Sequence, residues 1–564
     1  MRHVSLGFAA MIRLFLALVA FLAPVAAAAQ GAVSSAHPRA SEAGQQILRA
    51  GGSATDASMA MMLALTVVEP QSSGIGGGGF LLHHDGKTGV LQTIDGRETA
   101  PAAAMPNRFL GPDGKPLGFM QAVPGGRSVG VPGNLRLMAM AHKKWGKLPW
   151  KALFQPAIRL AEDGFQVSKP MAGSIAMLSR AWKDFPETAA IYAPGGTPLT
   201  EGATVKNPKL AALLRSIADG GADVFYTGAN ARELVRTVTT SKRAPGDMTI
   251  ADVAGYQAKQ RAPVCTTYRA YKLCGMGPPS SGATTVFQIL GMLERFDMKA
   301  LGKDSPVAWH LISEAMLLAY ADRETYLADA DFVSVPVKGL LDKAYVRSRS
   351  ALLSPMKSLG RYDAGMPPGA PARTPAVQKE TAGTTHFVAI DRGGSVATYT
   401  STIEGPFGSQ LNVNGYMLNN ELTDFTRAPE TNGMLVANRP QGGKRPLSSM
   451  SPTIVYDAKG RPVFTVGAAG GKTIIMQVAK ALIAHLDWGL PAREAIGEGL
   501  IYFNDTTLVL EEGTARAGLK PALESLGHTV TVGRLGLKAN AAERTPRGWV
   551  GAADPRSVGE ALPE

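Results

Sequence analysis

Apolar and polar positions alternate along this chain in runs that predict both helices and strands. From Ala54 to Val67 nearly every position is small or apolar, which predicts a helix buried on all sides rather than an amphipathic one. A shorter helix through Leu48 precedes it, with Ser41 as the predicted cap and Gly51-Gly52 as the stop. Strands are predicted at Phe80 to His84 and around Val90 to Ile94. Helical spacing then runs from Leu135 to Ala161, broken at Gly146 and Pro149, and again from Val307 to Leu327. Near residue 373 the pattern changes. Pro371 to Gly383 is polar and loop-like, and Thr384 to Asp391 and Ser395 to Ile403 follow as two strands joined by the turn Arg392-Gly393-Gly394. A third strand, Gly415 to Leu418, leads into a long stretch, Phe425 to Leu447, that shows no periodicity. Inside a compact domain such a stretch usually serves a site. Strands at Ile454 to Tyr456 and Pro462 to Val466, a loop at Gly467 to Gly471 and a helix from Thr473 to His485 complete the pattern. The alternation of strands and helices predicts a layered α/β architecture.

Composition agrees with a globular protein. The 564 residues are 45 % hydrophobic and 18 % charged, enough to bury large cores in two or more domains or in one big unit. At the N-terminus, Arg2 and Arg13, the apolar run Leu14 to Val25 and the small residues Ala26 to Ala29 read as a secretory signal peptide over residues 1–29, with the cut after Ala29. A membrane anchor is the weaker reading because the apolar run is short. The mature protein is therefore expected in the periplasm or outside the cell, with no membrane span. A net charge of +13 would suit a nucleic-acid partner, but no block of Lys and Arg concentrates it, so a generally basic surface is expected and no nucleic acid.

The two cysteines, Cys265 and Cys274, flank a stretch of β-formers and are either a local disulfide or two free thiols. No zinc-binding spacing occurs among nine histidines, and the neighbours His83 and His84 point to opposite faces of a strand, so no catalytic metal is expected. Two glycine motifs look like nucleotide loops and are not. Gly74, Gly76 and Gly79 match GxGxxG, but a helix precedes them and a strand follows, the reverse of a dinucleotide site. Gly467 to Thr473 lies correctly between strand and helix but has one residue too few between its glycines for a P-loop. Its backbone N–H groups at a helix N-terminus would still stabilise an oxyanion.

The segment Thr384-Thr385-His386 adds to a set of motifs through which the chain resembles the γ-glutamyltransferase family over essentially its whole mature length. The others are Gly51 to Ala57, Gly76 to Phe80, Arg97 to Pro101, Gly130 to Gly133, Pro278 to Gly282, Leu418 to Phe425, Lys444 to Met450, Gly470-Gly471 and Gly551 to Arg556. The resemblance implies an α+β N-terminal-nucleophile hydrolase, a four-layer αββα sandwich. It also implies self-cleavage between Gly383 and Thr384, giving a large chain (30–383) and a small chain (384–564) held together as a heterodimer.

Thr384, freed as a new N-terminus, would then be the nucleophile. A threonine hydroxyl needs a base, and the α-amino group, with an ordinary pKa of roughly 7.7–8.0, supplies one only after cleavage. By resemblance Thr402 hydrogen-bonds the nucleophile, and Gly470 and Gly471 form the oxyanion hole. Arg97, with Ser448 and Ser449, would grip the donor's α-carboxylate, while Glu404, Glu421 and Asp424 surround its α-ammonium. The implied cycle passes a γ-glutamyl group from a donor such as glutathione, through an ester on Thr384, to water or to an amino-acid or peptide acceptor. It requires no cofactor.

Several positions depart from the family pattern: Phe407-Gly408-Ser409-Gln410, Ala468-Ala469, Gly536 to Asn540, and a segment between Asp424 and Ser448 shorter than a full lid. They bear on acceptor preference and substrate breadth. The nearest rival is a glutaryl acylase of the cephalosporin type. A poly-γ-glutamate depolymerase ranks third and a non-catalytic binding protein last.

Overall fold

The computed structural model describes residues 31–376, Glu380 and residues 383–564, so the signal-peptide expectation for residues 1–29 falls outside the described residues. Two antiparallel sheets face each other, each covered by helices on its outer side. The first sheet has the order Glu560–Pro563, Ala32–Ser35, Thr385–Ile390, Val396–Thr402, Gly78–His84, Leu91–Asp95, Lys259–Arg261. The second runs Gly548–Ala553, Lys538–Thr545, Pro462–Ala469, Thr453–Tyr456, Tyr271–Gly275, Val264–Tyr268. Helices Pro38–Arg49, Ala54–Val68 and Trp150–Asp163 form one outer layer; Gly282–Leu293, Pro306–Tyr326 and Thr473–Leu486 form the other. This is the four-layer αββα sandwich of an N-terminal-nucleophile hydrolase.

Period-two alternation sorts the strand residues between the two cores. Phe387, Ala389, Ala397, Tyr399 and Leu81 face the first helical layer, whereas Val388, Ile390, Val396, Phe80 and Leu82 face the second sheet. Helix Ala54–Val68 is buried at every position, as its unbroken apolar run requires, and starts with a capping box between Ser53 and Asp56. The alternating α/β reading is corrected to α+β. Every pairing within the two sheets is antiparallel, because neighbouring strands are joined by hairpins or come from distant parts of the chain.

Boundaries otherwise follow the sequence closely, with three physical exceptions. The first helix begins at Pro38 with His37 as its cap, while Ser41 is buried inside it against Ser35 and the Glu560 carbonyl. Strand Pro462–Ala469 extends into the expected loop, because Gly467, Ala468 and Ala469 pair with Asn540, Ala539 and Lys538. The aperiodic stretch contains a hairpin of two-residue strands, Glu430–Thr431 and Met434–Leu435, too short to show alternation. The cysteine question resolves to a disulfide: Cys265 and Cys274 lie opposite each other on paired strands and are bonded.

Candidate active site

The hairpin Thr385–Ile390/Val396–Thr402 sets Thr385 opposite Ser401, which brings Thr384 beside Thr402 at the open end of the first sheet. Thr384 Oγ1 lies 2.7 Å from the Gly383 carbonyl oxygen and 3.2 Å from Thr402 Oγ1. The Thr402 hydroxyl donates to the same Gly383 oxygen at 2.6 Å and accepts from the Glu404 N–H at 2.8 Å. Two hydroxyls thus converge on the carbonyl of the bond that precedes Thr384. Glycine is required on both sides of this convergence. A Cβ on Gly383 would sit 2.1 Å from the Glu404 carbonyl oxygen, and one on Gly77 would sit 1.9 Å from the Thr402 carbonyl oxygen. The glycine run that imitates a nucleotide loop is therefore what lets the Thr402 turn pack closely.

Thr384 and Thr402 share a small buried pocket with Arg97, Glu380, Glu404, Glu421, Asp424, Ser448, Ser449 and Gly471. Its free volume is about 20 Å³, room for a single water. On another side Thr384 opens onto a cavity of about 230 Å³ bordered by Glu69, Gly470 and Lys538. In the small pocket the Arg97 guanidinium is held by Glu421, by Asp424 at 2.6 Å, and by the Leu447 and Pro446 carbonyls at 2.9 and 3.2 Å. Burial works against its charge, but Glu421, Asp424 and Glu98 outweigh burial and hold it above its ordinary pKa.

The acids feel the opposite strain. Burial, then repulsion from their acidic neighbours, holds Glu421 and Asp424 well above the ordinary carboxylate range despite the pull of Arg97. Burial also pushes Glu98 up to about 7. Glu421 Oε2 and Asp424 Oδ1 are buried without a hydrogen-bond partner among the described residues. Acid outnumbers base here, and two acceptors stand ready for a donor.

Ser448 and Ser449 owe their position to the Pro278–Gly282 segment: Ser281 donates to the Ser448 carbonyl through N–H at 2.7 Å and through Oγ at 2.8 Å, and Ser280 Oγ reaches the Met450 carbonyl at 2.7 Å. On the far side, Gly470 and Gly471 adopt φ of +133° and +59°, which side-chain-bearing residues rarely adopt, and lead into helix Thr473–Leu486. Gly470 borders the larger cavity and Gly471 the smaller one.

A family profile described as Gamma-glutamyltranspeptidase matches residues 40–564. The chain belongs to the γ-glutamyltranspeptidase family. The "Glutathione hydrolase proenzyme" of Bacillus subtilis (strain 168) is 39 % identical over 509 residues, covering 88 % of this chain and 85 % of that protein. Among solved structures, cephalosporin acylase from Bacillus halodurans superposes with a TM-score of 0.83 at 25 % identity, covering 95 % of this chain and 96 % of that one. Helicobacter pylori γ-glutamyltranspeptidase superposes with a TM-score of 0.57 at 36 % identity, covering 60 % of this chain and 96 % of that one.

Every residue that family resemblance assigned to the site borders one of the two cavities at Thr384. One arrangement differs from expectation. Arg97 and the acids, assigned to opposite charges of a ligand, pair with each other across the pocket. Four residues were missed. Arg323, fully buried, donates to Ser449 Oγ at 2.8 Å, Ser281 Oγ at 2.9 Å and Glu380 at 2.6 Å. Glu380 lines the pocket itself, and Glu98 stands behind Arg97. Asn420 ties the Glu404 turn down, donating to Glu404 Oε2 at 2.5 Å and accepting from the Gly405 N–H at 2.9 Å. Asn420 and Glu98 lie inside quoted motifs and were legible there, whereas Arg323 is one cation within a long helix and carries no local signal.

Other motifs prove structural. Asp56, from the Gly51–Ala57 motif, accepts from the Lys147 and Leu148 N–H groups at 2.8 and 3.1 Å. Arg445 pairs with Asp95 beneath the pocket, and Lys444 Nζ binds the Ala437 and Arg439 carbonyls.

Proposed function

We propose that the protein is a self-processing γ-glutamyltransferase and glutathione hydrolase. The reading rests on one observation: the Thr384 and Thr402 hydroxyls meet at the Gly383 carbonyl oxygen, in a pocket whose acids keep unpartnered oxygens. In processing, Thr384 Oγ1 attacks the Gly383 carbonyl carbon while the Thr402 hydroxyl stabilises the charge growing on its oxygen. The C–N bond breaks, the amine of Thr384 takes the proton, and water hydrolyses the resulting ester. The products are the large chain 30–383 and the small chain 384–564.

The new α-amine then serves as base, and Thr384 Oγ1 attacks the γ-carbonyl of the donor. The Gly470-Gly471 loop stabilises the oxyanion, and the leaving amine departs with a proton. The γ-glutamyl ester on Thr384 passes to water or to an amino-acid or peptide acceptor. Glu404, Glu421 and Asp424 receive the donor's α-ammonium; Ser448, Ser449 and Arg97 receive its α-carboxylate, once a ligand's charges replace the internal pairing. Residues 1–29 direct export to the periplasm or the medium. The Cys265–Cys274 disulfide fits an oxidising compartment, and no helix among the described residues is long and apolar enough to cross a membrane.

The close superposition on cephalosporin acylase raises glutaryl hydrolysis as a second reading. A glutaryl donor has no ammonium and would leave Glu421 Oε2 and Asp424 Oδ1 without a donor. Hydrogen bonds to charged groups are worth ~1.5–3 kcal/mol, so γ-glutamyl anilide should exceed glutaryl anilide in kcat/KM by ~10–150-fold. Intact mass of the wild type and of Thr384→Ala, followed by turnover of both anilides, tests the proposal. Two fragments beginning at Gln30 and at Thr384, with γ-glutamyl preference, support it; cleavage with glutaryl preference selects the acylase, and an uncut active protein removes Thr384 as nucleophile.

A further inference from the structure

Helix Pro306–Tyr326 carries His310 and Glu314 one turn apart, so both project from the same face. Against that face packs His528, from the turn between helix Lys520–Ser525 and strand Val530–Gly533. His310 Nδ1 lies 2.7 Å from His528 Nε2, and His528 Nε2 lies 3.8 Å from Glu314 Oε1. The three ligand atoms all fall within 4.8 Å of one another, and all three residues are buried. None of them borders either cavity at Thr384.

The surroundings orient these groups as outer-shell partners orient metal ligands. His310 Nε2 is 2.7 Å from the Ser354 carbonyl oxygen. A carbonyl only accepts, so Nε2 carries the proton and Nδ1 turns its lone pair toward His528. Glu314 is fixed through both oxygens: Tyr362 Oη and Ser358 Oγ donate to Oε1, and the Leu359 N–H donates to Oε2 at 2.9 Å. Among the described residues no Lys or Arg lies within ion-pairing distance of Glu314. The Glu314 carboxyl group thus faces two imidazole nitrogens with no Lys or Arg beside it, a donor set that a divalent cation would draw together.

We propose that His310, Glu314 and His528 form a structural site for a divalent transition metal, with zinc the best match to two imidazoles and one carboxylate. Tetrahedral bonds of ~2.0–2.1 Å separate ligand atoms by about 3.3 Å, so the two nitrogens part by less than 1 Å and Glu314 Oε1 closes on His528 Nε2 by about half an ångström. His528 shifts its proton from Nε2 to Nδ1, His310 keeps its proton on Nε2, and no proton is released. Water completes the coordination. The ion would staple helix Pro306–Tyr326, whose last turn carries Arg323, to the 354–362 segment and to the C-terminal part of the chain.

Untagged protein, stripped with chelator, is titrated with Co(II) and Zn(II). The expected result is one metal per chain, an intense visible absorption for the cobalt form, and a thermal midpoint that rises with zinc concentration. His528→Gln and Glu314→Gln should lose both the absorption and the zinc-dependent rise; two variants are used so that one failure to fold does not decide the test. Turnover by His528→Gln should match that of the stripped wild type. A wild type that retains no metal, or variants that bind it as the wild type does, would overturn the proposal.

Discussion

Individual residues carry sharp tests because the threonine pair works through hydroxyl geometry. Thr402→Val keeps the shape of the strand and removes the donor to the Gly383 oxygen. Loss of one such donor typically costs ~10²–10³ in rate, so processing should slow by that factor, read from the band pattern on a denaturing gel over time. Gly383→Ala should also arrest processing, since its methyl would collide with the Glu404 carbonyl oxygen, yet leave the fold intact by circular dichroism. A pH test follows from the raised pKa values of Glu421 and Asp424. A raised carboxyl is neutral below its shifted pKa and gains charge as pH rises through it. Attraction for the donor ammonium therefore grows with pH, and KM for a γ-glutamyl anilide should fall as pH rises above the ordinary carboxylate range while KM for a glutaryl anilide does not. At this scale the pocket positions of Thr384, Arg97, Glu421 and Asp424 were legible because short motifs carry them, and that of Thr402 because it lies in the strand paired with Thr384's. Arg323 was not, because its role exists only where helix Pro306–Tyr326 meets the Ser449 segment.

Elements were legible where one physical demand dominates their sequence. Helix Ala54–Val68 is apolar on every side because it sits beneath other helices and on the sheet. Truncating its centre with Leu63→Ala should cost ~2–5 kcal/mol, measured by denaturant unfolding, by leaving a cavity that the packed layer cannot close. The Cys265–Cys274 bond joins strands already paired in register. Its nine-residue separation predicts, by chain entropy, a loss of ~2–3 kcal/mol at most in the double Cys→Ala variant, with γ-glutamyl turnover unchanged. The hairpin Glu430–Thr431/Met434–Leu435 was invisible, since two-residue strands show no period and are made by their partners.

Across the whole molecule, the first sheet takes Ala32–Ser35, Gly78–His84, Leu91–Asp95 and Lys259–Arg261 from before Gly383, and Thr385–Ile390, Val396–Thr402 and Glu560–Pro563 from after it. Strand Thr385–Ile390 pairs with Ala32–Ser35, and Val396–Thr402 pairs with Gly78–His84, so backbone hydrogen bonds would join the two chains proposed to arise from a cut between Gly383 and Thr384. The second sheet is mixed in the same way, with Thr453–Tyr456 paired to Tyr271–Gly275. After processing, the fragments should elute together on a sizing column and separate only in denaturant. Separation under native conditions would contradict this interlocking.

The sequence by itself determined the buried helices and the central hairpin, because each is enforced by near neighbours through an apolar period or a turn, and short motifs carried the pocket residues. Tertiary structure alone decided which charges meet. The pairing of Arg97 with Glu421 and Asp424, the reach of Arg323 to Ser449, and the approach of His528 to His310 and Glu314 join residues between 126 and 327 positions apart. Electrostatic and hydrogen-bond partners are set by distance in space, and no local pattern along the chain records that distance.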